Sequence, residues 1–460
     1  MLRKDVVKKL LVENIPLLGI LVAVMLISIS IGPFQNWDTN YEFQAAMGVI
    51  KWGMPYINTF GSIASQPPLG FQIEALFFRI FGASIPVGTL LVTLFGLGST
   101  IFAYLIGKKL YGKSTGLVAA ALFALNPWEL VLTRSFLIDA QYLFLSLVCL
   151  YVGIFAVNKD SIKLALVSGV FFAAAFLTKF FAVYIIIPLL LYYVYSKPKN
   201  LIRVLAKLTV FILPMLVCSL LWYQVILSQD LLYIFHNIDF ISLNNPGVVP
   251  SYTFVATFLL NESLGYFFVI AVAFSLLVYF LFRKEFPKIY IFDLICLGTI
   301  LPILIVNTVL GAGLNLDVPY HDAIKYDYSA LPFFCFIAAS LFDKCHILFN
   351  STKVKTKLKN PLKFAVIITS ALLLAAIVIV DVVDAHILSL SDYLLFYVQM
   401  NQNNGYNFFN YSPISQHILL MNIQYVGFAV FPLGLLWASR HKFHGLFKLT
   451  NRWINGKKAL

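Results

Sequence analysis

Two acidic side chains lie just beyond the first apolar segment of this chain, where carboxylates are uncommon. Asp38 and Glu42 are four residues apart, so a helix through them would place both on one face. A carboxylate beside lipid loses hydration, which costs free energy, and such residues are retained mainly where a function needs them. Their position at the mouth of an apolar bundle therefore indicates chemistry on a membrane-borne substrate.

Further ionisable groups stand at the ends of later apolar segments. Arg134 and Asp139 flank the start of one segment, and Lys179 separates two others. We expect all of these groups to lie on one side of the membrane, close to the interface. A last group precedes another apolar segment: His321, Lys325, Tyr326 and Asp327.

The elements that position these groups are membrane spans. Of 460 residues, 60% are hydrophobic and 12% are charged, and the mean hydropathy is +0.87. Ordinary soluble domains carry about 25% charged residues, so the composition excludes that class. Apolar runs of about 17–25 residues predict about twelve transmembrane helices. The predicted fold class is an all-α, polytopic integral membrane protein.

The net charge of +13 follows from topology. With a cytoplasmic N-terminus, most of the 33 Lys and Arg residues fall in inner segments, as the positive-inside rule requires. Nucleic acid is therefore not needed as a partner, and both termini of this multi-pass cell-membrane protein are predicted to be cytoplasmic. The remaining cations fall on the outer face and are candidates for function: Lys51, Arg79, Arg134, Lys179 and Lys325.

The first outer loop, residues 33–85, is predicted to hold two short interfacial helices, over 40–52 and 71–81, separated by Pro67-Pro68. The cysteines show no metal-like spacing, so no metal site is predicted. We divide the chain into an N-terminal transmembrane module and a more variable C-terminal one, with three outer loops in the latter: modules 1–226 and 227–460, and loops 227–262, 312–327 and 384–413.

The order of short motifs in the N-terminal module resembles the GT-C glycosyltransferases, in particular the branch of the protein O-mannosyltransferases and aminoarabinose transferases. The similarity is strongest over residues 1–200. Thr39 departs from the usual Glu after the first Asp, and Gln66 departs from the usual Lys or His before Pro-Pro-Leu. The motifs are Asp38 with Tyr41, Gly53 with Pro55, Pro67-Pro68-Leu69, Phe81-Gly82 with Ser84, Gly107 to Gly112, Asn126 to Trp128, Arg134 with Asp139, Thr178-Lys179, and, more loosely, Lys325 to Tyr328 with Leu331-Pro332.

The resemblance implies a hexosyl or pentosyl transferase that moves a sugar from a polyprenyl-phosphate donor to a protein, lipid or glycan acceptor on the outer face. It implies inversion without a covalent enzyme intermediate. Asp38, and after it Asp139, is predicted to take the acceptor's proton. Fixed cations would bind the phosphate and aromatic rings would stack on the sugar. The predicted substrate-binding residues are Tyr41, Glu42, Gln66, Pro67, Arg134, Lys179, Lys325 and Tyr326.

Structural roles compete with these assignments. Asp38 also suits a helix cap, Arg134 and Asp139 also suit a mutual ion pair, and Lys179 also suits a snorkelling lysine at a span end. A transporter or flippase of lipid-linked sugars is the alternative function, although transporters place ionisable residues in mid-span and these spans carry few there. The membrane lipids are a further partner, no cofactor is assigned, and a divalent metal is left open.

The predicted topology is testable by labelling. In a variant Asn58→Cys, a membrane-impermeant maleimide added to intact cells should react, because residue 58 lies in the first outer loop. A cysteine in the inner segment 108–114 should react only after permeabilisation. The reverse pattern would overturn the orientation.

Overall fold

The computed structural model describes residues 14–26, 37–59, 61–64, 66–196, 200–227, 266–284, 286, 291–313, 327–350, 369–370 and 372. This part of the chain is built almost entirely from helices. It also contains two 3-10 helices, Phe180–Ile185 and Tyr328–Ala330. The α-helices are α1 (Asn14–Leu26), α2 (Trp37–Trp52), α3 (Leu69–Phe81), α4 (Ile85–Leu110), α5 (Lys113–Ala124), α6 (Pro127–Arg134), α7 (Asp139–Asn158), α8 (Ile162–Thr178), α9 (Ile186–Tyr195), α10 (Leu201–Leu227), α11 (Tyr266–Leu281), α12 (Phe292–Gly313) and α13 (Leu331–Asn350).

Four described helical segments are long and apolar enough to cross a membrane: α4, α7, Ile202–Trp222 within α10, and Tyr328–Leu348. Shorter apolar helices pack around them. The prediction of an all-α, polytopic membrane protein is confirmed, whereas the count of about twelve spans stays a prediction. The outer loop 384–413 and most of loops 227–262 and 312–327 lie outside the described residues.

Helices α2 and α3, which belong to the predicted first outer loop, pack against the bundle. Both predicted interfacial helices are present, and each begins two or three residues earlier than predicted. Gly53 and Gly82 follow α2 and α3 with φ of +74° and +90°, a backbone region that glycine enters without a Cβ clash. The sequence did not indicate the short antiparallel hairpin between them, β1 (Tyr56–Ile57) paired with β2 (Ser62–Ile63).

A break between α5 and α6 interrupts the apolar run 115–133, which the sequence alone would assign to one transmembrane helix. Helix α5 ends at Ala124 and α6 begins at Pro127, because proline lacks an N–H and disfavours helix at the residue before it. The Leu130 N–H donates to the carbonyl of Asn126, which starts the new helix. Helix α6 therefore ends at Arg134, immediately before the non-helical turn that leads into α7.

A buried polar network near the C-terminal end of α4 joins four parts of the bundle. Lys344 Nζ lies 2.5 Å from Asp293 Oδ2 and donates to the Ser275 carbonyl at 2.7 Å. The Tyr111 hydroxyl donates to Asp293 Oδ1 at 2.6 Å, and the Ser340 hydroxyl lies 3.0 Å from Oδ2. Both charged side chains are fully buried, so each compensates the other and ties α11, α12 and α13 to the end of α4.

This network predicts an asymmetric stability effect. Lys344→Met should destabilise the folded protein by about 3–5 kcal/mol, because it leaves the Asp293 carboxylate buried without its cation. The midpoint of thermal unfolding in detergent is the measurement. The paired change Asp293→Leu with Lys344→Met should recover most of the loss, since both charges are then removed.

Lys109→Met is the matched control for this measurement, because Lys109 is exposed and its Nζ lies 5.0 Å from the Phe155 ring. It should shift the midpoint little. Equal midpoints for Lys344→Met and Lys109→Met would contradict a stabilising role for the pair.

Candidate active site

Helix α2 places its two predicted acids at different depths. Asp38 lies in the first turn and is half-buried, while Glu42 lies one turn further along and is 6% exposed. Glu42 Oε2 accepts a hydrogen bond from the Ile138 N–H at 2.7 Å. Both carboxylates therefore line one face of α2, and the deeper of them contacts the start of α7.

The contact with Ile138 serves a specific need of α7. The first N–H groups of a helix have no partner within the helix, and Ile138 itself provides no side-chain cap. The Glu42 carboxylate accepts one N–H from outside and lies at the positive end of the helix dipole. The first outer loop is thereby attached to the turn between α6 and α7.

Asp139 and Lys179 form the central ion pair of this region. Lys179 follows α8 in an extended conformation, and its Nζ lies 2.7 Å and 2.8 Å from the two oxygens of Asp139. The two side chains are 5% and 1% exposed. The Lys179 ammonium also lies 5.8 Å from the ring centres of Tyr142 and Phe181. The pair fixes the start of α7 against the end of α8.

Helix α3 carries a further buried acid, Glu74, which the sequence did not single out as a site residue. Glu74 is fully buried, and its Oε1 accepts a hydrogen bond from Gln141 Nε2 at 2.8 Å. Burial raises the pKa of Glu74 well above its usual range, and the nearby charge of Glu42 raises it further. The available signal was its helical spacing from Gly70, Phe71 and Phe78, which share the buried face of α3 with Glu74.

The pKa of Glu42 depends on its burial and on the charged groups around it. Burial raises its pKa well above the usual range; the negative charges of Asp139 and Asp38 add to the rise, and the Lys179 charge and the Ile138 N–H oppose it. Glu42 binds the N–H of the residue before Asp139, and Asp139 binds Lys179. Asp38 lies one turn before Glu42 on α2, so these four predicted site residues are brought together.

The Pro-Pro-Leu segment packs α3 tightly under this cluster. Pro67 is buried, and a Cβ at Gly70 would lie 2.7 Å from Ile138 Cγ2 and 3.1 Å from Thr178 Cγ2. Within the described part of the chain, Gln66 Oε1 is buried without a hydrogen-bond partner. Helix α3 thus begins in direct contact with the two segments that carry Asp139 and Lys179.

The other predicted residues lie around the cluster or outside the described chain. Tyr41 is half-buried and packs on the apolar group formed by Ala45, Ile57, Ala64, Phe71 and Ile138. Arg134 is buried at the end of α6, its Nη1 donates to Thr93 Oγ1 at 3.1 Å, and burial lowers its pKa to about 10, so it stays charged near neutral pH. Lys325 and Tyr326 lie outside the described residues.

The arrangement offers the parts needed for a displacement reaction. It provides a half-buried carboxylate at Asp38 beside a buried ion pair, with the cation Arg134 on the neighbouring helix. Among the described residues, no group of three or more His, Cys, Asp or Glu side chains is arranged to hold a metal ion. The chemistry available from these side chains is proton transfer and electrostatic stabilisation of an anion.

Comparison with known proteins relates this site to sugar transferases. Residues 65–223 match a family model described as dolichyl-phosphate-mannose-protein mannosyltransferase. Over 158 residues the chain is 26% identical to YkcB of Bacillus subtilis (strain 168), which is provisionally named a mannosyltransferase. This match covers 34% of the chain and 22% of YkcB, so the chain spans less than a quarter of that relative's length.

The fold has solved counterparts. The structure of ArnT from Cupriavidus metallidurans in the apo state aligns with a TM-score of 0.54 at 15% identity, covering 91% of this chain and 76% of ArnT. The structure of the same protein bound to undecaprenyl phosphate aligns with a TM-score of 0.52 at 14% identity, with the same coverage. At such identity the likeness concerns the fold. The family match and the likeness to ArnT agree with the resemblance seen in the sequence, and the chain is a polytopic membrane protein with a fold similar to that of ArnT.

Proposed function

We propose that this protein is a membrane glycosyltransferase that moves a sugar from a polyprenyl-phosphate donor to an acceptor on the outer face of the membrane. The observation that carries the proposal is a set of contacts at the start of α7: Glu42 of α2 binds the Ile138 N–H, and the next residue, Asp139, binds Lys179. Asp38 lies one turn before Glu42 on α2. The mannosyltransferase family match over residues 65–223 supports the reaction class. The undecaprenyl phosphate bound to ArnT on a similar fold supports the donor class.

In the proposed reaction, an acceptor hydroxyl or amine attacks the anomeric carbon of the donor sugar. The new bond to that carbon forms as its bond to the phosphate oxygen breaks, so the configuration inverts and polyprenyl phosphate leaves. Asp38 takes the proton of the acceptor, because it is more exposed than Glu42 or Asp139 and lies on the same face of α2 as Glu42. Lys179 and Arg134 stabilise the negative charge of the leaving phosphate.

Asp139 has a different proposed role from Asp38. Both of its oxygens bind the Lys179 ammonium, so its lone pairs are committed to holding that cation. We therefore assign Asp139 to the positioning of Lys179 and Asp38 to proton transfer. The transporter alternative lacks comparable support, because neither the matched family nor YkcB carries the name of a transporter.

Asp38→Asn tests the base directly. The substitution keeps the shape of the side chain and removes its ability to accept a proton, so turnover should fall by about a hundredfold to ten-thousandfold. Donor affinity and the midpoint of thermal unfolding should change little. Initial rates with a prenyl-phosphate sugar and acceptor give the readout. Near-normal turnover would move the role of base to Asp139.

Two cation variants test the phosphate site. Arg134→Gln and Lys179→Gln should each weaken donor binding by about ten- to a hundredfold, because a hydrogen bond to a charged group contributes about 1.5–3 kcal/mol. Lys179→Gln should have the larger effect, since it also leaves Asp139 and Glu42 without their nearby cation.

Arg79→Gln is the matched control for the cation variants. Arg79 is also a predicted outer cation but lies exposed in the last turn of α3. Calorimetric titration with the donor should find its affinity unchanged. Equal affinities in all three variants would show that the phosphate binds elsewhere.

A further inference from the structure

The cluster holds more carboxyl groups than one cation can compensate. Glu42 interacts electrostatically with Asp38, Asp139 and Glu74. Lys179 is the cation whose charge reaches Glu42, and its ammonium already binds both oxygens of Asp139. A negatively charged donor phosphate would enter a region that is itself negative if all these carboxyl groups were ionised.

We propose that Glu42 and Glu74 form a proton-accepting pair, so that binding of an anionic donor is coupled to proton uptake by these two carboxyl groups. This inference rests on the proposed function, because it takes the phosphate of the donor as the incoming charge. One proton is taken from solvent onto a carboxylate oxygen of the pair, and no other bond forms or breaks.

The contacts of the two carboxyl groups do not compensate their negative charges. Glu74 is fully buried, receives one hydrogen bond from the neutral amide of Gln141, and has an Oε2 without a partner in the described part of the chain. Glu42 receives a backbone N–H from Ile138. Neither carboxyl has a cation at ion-pair distance among the described residues, so burial disfavours full ionisation of both. The raised pKa of each group agrees with this geometry.

The charged groups around Glu42 and Glu74 determine how donor affinity changes with pH. The charged groups that face the pair are Asp38 on α2, Asp139 on α7 and Lys179 after α8, and Gln141 of α7 faces it as a neutral donor. Helix α4 also packs against α3. The ionisable residues of α4 are Tyr104, Lys108 and Lys109, which lie toward its C-terminal end. An incoming anion raises the pKa of the pair further. Donor affinity should therefore increase as the pH falls between the pKa values of the free and bound states.

Calorimetry on the full chain in detergent tests the coupling. The probe is a prenyl mannosyl phosphodiester. A phosphate monoester would itself take up a proton, with a pKa of about 6, and this would obscure the protons taken up by the protein. Titrations in buffers with different ionisation enthalpies report the protons exchanged. We expect net proton uptake, and a dissociation constant that rises with pH by at most about tenfold per pH unit for one proton.

Glu74→Gln locates the effect. Glutamine keeps the size of the side chain and an oxygen for Gln141 Nε2 but does not titrate, so binding should persist while the pH dependence flattens. Glu129→Gln is the matched control, since Glu129 is equally buried on α6 and accepts its hydrogen bond from Tyr328. It should keep the pH dependence of the unmodified protein. If Glu74→Gln fails to fold, the proton count of the unmodified protein decides.

The outcomes separate the inference from the proposed function. Absence of binding at every pH would overturn both. Binding without proton uptake would overturn the coupling and leave the transferase proposal standing. Binding that requires Mg²⁺, is lost in EDTA and takes up no proton would also overturn the coupling, because a metal ion would then compensate the carboxylates. A pH dependence that survives in Glu74→Gln would remove Glu74 from the pair.

Discussion

The ion pair between Asp139 and Lys179 is the contact on which the candidate site depends. Each charge is almost completely buried and would be costly without the other, so the pair fixes the start of α7 against the end of α8. Glu42 then binds the N–H immediately before α7, which holds α2 to the same point. Asp38 lies one turn before Glu42 on α2, so these contacts also hold Asp38 near the pair.

Polar contacts along α4 determine which helices pack against it. Arg134 binds Thr93 in the N-terminal half of α4, and Tyr111, directly after α4, binds the buried pair of Asp293 and Lys344. Apolar helix faces in lipid gain little from burial against one another, so shape and polar contacts decide which helices pair. The network at the far end of α4 thus positions α12 and α13. The latter follows the 3-10 helix whose Tyr328 binds Glu129.

The sequence was sufficient to predict the features that depend on local residue patterns and on overall composition. The spacing of Asp38 and Glu42, the two helices of the first outer loop and the polytopic fold all follow from periodicity and composition. The sequence left open whether Asp139 serves the reaction or forms an ion pair with Arg134. In the structure Asp139 pairs with Lys179, 40 residues away along the chain. Such a contact depends on how α7 packs against α8, which no local pattern encodes.

The same limit applies to two buried charged residues. Lys344 is fully buried because its partner Asp293 lies on another helix. Glu74 is buried where α3 meets Gln141 of α7.

Burial divides the acids of the cluster into two kinds. The carboxylate of Asp38 is half-exposed and can meet an acceptor, whereas fully buried carboxyl groups are costly as anions. Asp139 avoids that cost through Lys179, and Glu42 lowers it through a backbone N–H. Glu74 has only an amide donor among the described residues, so it is the member of the cluster whose charge must respond when another anion arrives.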